Sequence, residues 1–133
     1  MITTLLLIAA QGASPTLPLA CPDHITTKQT LTSPAEGWET STDTFSVTDK
    51  KLHGTVYGFS DGPPEEMALL KPASILKSKG GLLSTWVLDQ SEQTWLICGY
   101  EFTTIQLSKA LPAKLKKCFV QTDGNGNISA WCK

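Results

Sequence analysis

This sequence predicts an all-β domain, a small antiparallel β-barrel or sandwich stapled by disulfides and holding at most one short helix. Three observations point there. Turn-forming residues recur along the chain with no long apolar run of helical period, the pattern of short antiparallel strands. The stretch from Thr85 to Lys133 carries three of the four tryptophans and three of the four cysteines, set in alternating runs. At 133 residues the chain amounts to one domain, enough for a single modest core.

The first 20 residues contain no Asp, Glu, Lys or Arg, and they hold the apolar run Leu5-Leu6-Leu7-Ile8-Ala9-Ala10 ahead of small and turn-forming residues. That is the pattern of a secretory signal peptide, far too short to span a bilayer. The expected organisation is a signal peptide over residues 1–20 and a single antiparallel β domain over 21–133, delivered to the periplasm. Cleavage after Ala20 places Pro18 where a small residue is wanted. Cleavage after Ala13 therefore stays open, as does lipidation of Cys21.

Taken in order, His24 to Leu31 is rich in Thr and alternates imperfectly, as in an edge strand. Ser33-Pro34 and Gly37 make a turn, and Trp38 is expected to pack that loop onto the sheet. Residues 39 to 50 are polar, with one short strand around Phe45 and Val47. Leu52 to Phe59 alternates, placing Leu52, Gly54, Val56 and Gly58 on one face and His53, Thr55, Tyr57 and Phe59 on the other. Two glycines inside a strand predict a bulge or a close backbone approach. Ser60 to Glu66 breaks the alternation, since Asp61-Gly62 makes a tight turn and Pro63-Pro64 stiffens its exit. Met67 to Leu70 reads as one helical turn or a short strand.

Ser78-Lys79-Gly80-Gly81 is a second turn, leading into a Leu82–Leu88 strand, and Asp89 to Glu92 is a third. In Thr94 to Tyr100, Trp95, Ile97 and Gly99 face one way, while Leu96, Cys98 and Tyr100 face the other. Apolar residues on both faces mark a central strand. Further strands are expected over Thr103–Leu107, Lys117–Thr122 and Ile128–Cys132.

Four cysteines, Cys21, Cys98, Cys118 and Cys132, imply two disulfides in an exported chain. Asp123-Gly124-Asn125-Gly126-Asn127 is rich in residues that accept positive φ. A hairpin centred on Asn125 sets Cys118 opposite Cys132 and Phe119 opposite Trp131. Cys21 then joins Cys98. Because a directly cross-strand bridge can be strained, Cys21–Cys132 with Cys98–Cys118 stays open.

Net charge is −1 and no basic block occurs, which argues against nucleic-acid partners; Lys114, Lys116 and Lys117 read as a solvated loop. No C-x-x-C or Cys/His cluster indicates a metal, His24 and His53 read as ordinary strand or surface residues, and no cofactor is expected. Ser60-Asp61 near His53 is the one approach to a catalytic arrangement, and it lacks the strand–turn–helix setting of a nucleophile elbow. No catalytic residue is expected and the chain reads as a non-enzyme. A stapled scaffold with stiff loops works by binding, because a rigid loop loses little conformational entropy on docking. Asp61, Gly62, Pro63, Glu65 and Glu66 are the expected partner-binding loop.

Cys21-Pro22, Gly37-Trp38, Phe59-Ser60-Asp61-Gly62-Pro63-Pro64, Trp86, Trp95 to Tyr100, Leu111-Pro112 and Cys118 occur in this order. Together they resemble a family of small periplasmic proteobacterial proteins, of the Salmonella Typhi type found near type VI secretion clusters. The resemblance implies an immunity protein or lysozyme inhibitor whose partner is a peptidoglycan hydrolase or lysozyme. The pattern of the c-type lysozyme inhibitors is not present, and none of their binding residues is carried over. The alternative is a non-inhibitory envelope module for a sugar or peptide, with Trp38, Tyr57 and Tyr100 as its aromatic platform.

Overall fold

In the computed structural model, residues 15–28, 30–33, 35–41, 51–63, 69–89 and 92–133 are described. The expected strand around Phe45 and Val47 lies outside them. Among the described residues nine strands are present: β1 (Leu17–Leu19), β2 (His24–Thr26), β3 (Lys51–Asp61), β4 (Ser74–Ser78), β5 (Gly81–Val87), β6 (Thr94–Tyr100), β7 (Gln106–Ala110), β8 (Lys117–Thr122) and β9 (Ile128–Cys132). One sheet has the order β1-β9-β8-β5-β4 and the other β2-β3-β6-β7. Every pairing is antiparallel, and there is no helix among the described residues.

The two sheets share one core. Phe59 of β3 meets Trp86 of β5 edge to face, with ring centroids 5.0 Å apart. Leu52, Leu88, Leu96, Tyr100 and Leu111 fill in around them. Full burial of a side chain such as Phe59 contributes roughly 1.5–3 kcal/mol. Both disulfides join this core, Cys21 to Cys98 and Cys118 to Cys132. Cys118 faces Cys132 and Phe119 faces Trp131, so the hairpin centred on Asn125 forms with the expected register.

Local chemistry explains the turns. Lys79 and Gly80 both have positive φ, 53° and 75°, between the paired residues Ser78 and Gly81. This is the two-residue hairpin geometry that matches strand twist. In the β8–β9 turn, the Asp123 carboxylate accepts the backbone N–H groups of Asn125 and Asn127 at 2.8 and 2.9 Å and the Asn127 side-chain amide at 3.0 Å.

The structure differs from the sequence reading in four places. Trp38 is 81% exposed rather than packed on a sheet. Its turn is closed on itself, the Trp38 N–H donating to the Ala35 carbonyl at 3.1 Å after the left-handed Gly37. The seventh strand begins at Gln106, not Thr103. Phe102 takes φ 59° and Thr103 Oγ1 accepts the Ile105 N–H, so a local turn uses those residues first. Ser74 to Ser78 forms β4, a strand with no clean alternation to announce it.

The fourth correction concerns β3. Val56 pairs with Cys98 and Gly58 with Ile97, leaving Tyr57 as the extra residue of a bulge. A bulge reverses side-chain alternation. Phe59 therefore joins Leu52 in the core, while Tyr57 stays 58% exposed. Strand β1 pairs Leu17, Pro18 and Leu19 with Cys132, Trp131 and Ala130, placing a piece of the expected leader in the sheet.

Candidate protein-binding site

Beyond the bulge, Asp61 closes β3 opposite Thr94. It lies on the same face as Phe59, directed toward the space between the sheets. Gly62 follows with φ 76°, a conformation that favours glycine. Its N–H donates to the Gln93 carbonyl at 2.9 Å, and the buried Ser60 hydroxyl donates to its carbonyl at 3.0 Å. The returning chain is fixed too. Leu69 bridges Ser60, the Leu70 N–H reaches the Phe59 carbonyl, and the Trp86 indole N–H donates to the Leu70 carbonyl at 3.1 Å.

Asp61, Gly62 and Pro63 thus leave from one pinned point and the chain re-enters at another. Glu65 and Glu66 lie outside the described residues. Asp61 Oδ1 is buried without a hydrogen-bond partner. A buried acceptor in that state costs roughly 1–3 kcal/mol, although the residue as a whole is only partly buried.

Beside the loop lies a pocket of about 200 Å³. Its apolar floor is Leu88, Leu111 and Leu115, and Glu92, Gln93 and Lys114 stand at its edge. Small-molecule sites usually measure roughly 300–1,000 Å³; this one has room for about one side chain. Lys114 takes φ 71°, turning the chain back toward β8. The sequence marked these segments only as a turn and a solvated lysine loop. What it lacked was the folding of β5, β6 and β7 that brings Leu88 and Leu111 together.

The structure separates other candidates. Ser60 is fully buried, whereas His53 is exposed and paired with His24. Seven residues of strand separate Ser60 from His53, roughly 20 Å, so they form no catalytic pair. No group of three or more His, Cys, Asp or Glu residues suited to a metal occurs among the described residues, and they contain no helix long and apolar enough to cross a membrane. Of the three expected platform aromatics, Tyr100 is buried, its hydroxyl donating to the Pro22 carbonyl at 2.8 Å. Burial, reinforced by the Asp23 charge, raises its pKa. Tyr57 instead lines a shallow groove of about 320 Å³ with His53, Thr55 and Glu101.

The described residues thus form a disulfide-stapled pair of sheets with no helix among them and a turn at Asp61 and Gly62 pinned at both ends. The chain belongs to the type VI secretion system Tli immunity protein family, the match covering residues 48–133. The partner of such a protein is an effector of that secretion system, and two disulfides accord with a periplasmic setting. Comparisons with curated proteins and with solved structures gave no match.

Proposed function

We propose that this protein is a periplasmic immunity protein that binds and inhibits a peptidoglycan-degrading effector, using the loop Asp61, Gly62, Pro63, Glu65 and Glu66. The observation that carries the reading is the turn at Asp61 and Gly62, whose two ends are fixed by hydrogen bonds and whose acidic residue is only partly buried. An effector Lys or Arg would pair with that partly exposed carboxylate. A charge-assisted bond of this kind is stronger than a neutral one. Family membership supports the partner class, and export is supported by the charge-free leader pattern of residues 1–20.

The test is protection. A candidate type VI effector, sought among neighbouring genes, would be directed to the periplasm with and without this chain, and muropeptide release from purified sacculi measured alongside. Stoichiometric binding with loss of release is the expected result. Binding that protects cells while sacculi stay intact in every arm would move the effector to another envelope target.

A second reading, a non-inhibitory module for a sugar or peptide, has the Tyr57 groove in its favour. Muropeptide titration, read by intrinsic tyrosine and tryptophan fluorescence and compared with Tyr57→Ser, tests it.

A further inference from the structure

A loop of six residues is too small to hold a partner tightly. Stable interfaces cover about 800 Å² on each side, roughly 20–30 residues. The surface next to the Asp61 loop is therefore part of the question, and hydrogen bonds define it. Gly62 is bonded to Gln93, which lines the pocket. On the pocket's other side, the Leu88 N–H donates to the Lys116 carbonyl at 2.9 Å. Lys117 follows, paired with Val87 of β5. Asp61 and Gly62, the pocket, and Lys116 and Lys117 thus lie next to one another as a strip.

The chemistry along the strip changes in order. Asp61 and Glu92 supply negative charge at one side. Leu88, Leu111 and Leu115 form an apolar floor in the middle. Lys116 and Lys117 are exposed at the other side, next to Val87, which is 61% exposed. The five strands of that sheet contain no Asp or Glu; the acidic group on this side is Asp89, which follows Leu88 and lines the pocket.

We infer that the effector is gripped along this whole strip, with one apolar effector side chain seated in the pocket and an effector carboxylate facing Lys116 and Lys117. This rests on the immunity reading above. A buried apolar anchor ringed by polar contacts is the arrangement in which a few residues dominate binding. The lysines, lying at the rim, act mainly on the rate of association.

The experiment measures association and dissociation of the full oxidised chain with the candidate effector, each variant first shown to melt like wild type. Ala113→Trp, at the exposed lip of the pocket, is expected to raise Kd at least about tenfold. Lys117→Glu is expected to slow association several-fold, more so at low salt. Tyr57→Ser, in the separate groove with His53 and Glu101, is expected to bind as wild type does.

If Asp61→Ala weakens binding while Ala113→Trp and Lys117→Glu match wild type, the strip is overturned and the loop reading stands. If the wild-type chain does not bind the effector, the immunity reading falls and the strip with it. Self-association of wild type that Ala113→Trp abolishes would give the pocket to a second copy, which also overturns the inference.

Discussion

The ring of Tyr100 occupies the space that a side chain at Gly54 would need, the two residues being paired across β3 and β6. The tyrosine hydroxyl then reaches past β3 to the Pro22 carbonyl, next to the disulfide-bonded Cys21. One aromatic side chain thus ties the N-terminal segment to the central strand. Gly54→Ala should destabilise by about 1–3 kcal/mol through overpacking. Tyr100→Phe should cost about 1 kcal/mol, the usual net value of one hydrogen bond. Urea unfolding of both variants checks this; a neutral Gly54→Ala would mean that the ring swings aside.

The two disulfides close loops of very different length, with sequence separations of 77 and 14. In the chain-entropy account, removing Cys21–Cys98 should cost about 4–5 kcal/mol and removing Cys118–Cys132 about 3 kcal/mol. Paired Cys→Ala variants compared by thermal melting should preserve that order. Equal losses would show that packing of the fully buried Cys118 and Cys132 outweighs loop closure.

The Asp123 carboxylate is held below its ordinary pKa, chiefly by the Asn127 side-chain amide and then by the Asn127 and Asn125 N–H groups. A carboxylate with a lowered folded pKa stabilises above its unfolded value, and that contribution is lost as pH falls through the folded value. The β8–β9 turn should therefore stay closed through the ordinary carboxylate range and loosen only below about pH 4. Chemical shifts of the Asn125 and Asn127 amides report this directly. A midpoint at the ordinary aspartate value, or an unchanged profile in Asp123→Asn, would count against it.

Asp61→Ala separates binding from folding. Removing a buried acceptor that has no donor should leave stability within about 1 kcal/mol of wild type or raise it. Effector binding should weaken at least about tenfold. Loss of stability together with unchanged binding would make Asp61 a structural residue and release the loop from its role.

Strand β1 turns the processing site into a structural question. Cleavage after Ala20 would strip Leu17–Leu19 from the edge of β9, whereas cleavage after Ala13 would leave that pairing intact. The exported protein should retain β1, and its intact mass should correspond to a chain beginning at Ser14. A mass beginning at Cys21 would show that β9 functions as an open edge.

What could be read ahead of the structure follows from how local each signal is. Strands β8 and β9 and their register came from the alternation around Asp123 to Asn127, because turn chemistry and pairing there involve neighbours in sequence. The central place of β6 came from apolar residues on both its faces. Trp38 misled, because a tryptophan near a turn carries no record of whether a sheet will reach it. The face of Phe59 could not be fixed, since two glycines announce a bulge without saying which residue is the extra one. The pocket was hidden for a different reason: Leu88, Leu111 and Leu115 are distant in sequence and meet only once both sheets are built.

The Tyr57 bulge also determines what a change in length would do here. Upstream of it β3 keeps one parity, and downstream it keeps the other, with Phe59 and Asp61 both inward. Excising this single residue would leave Asp61, Gly62 and Pro63 in the chain yet rotate the strand's last turn by half a revolution. Phe59 would face water and the Asp61 carboxylate would turn away from the space between the sheets. Substitutions around the loop can be tolerated one at a time, but a one-residue deletion upstream would silence it while leaving the loop sequence itself unaltered.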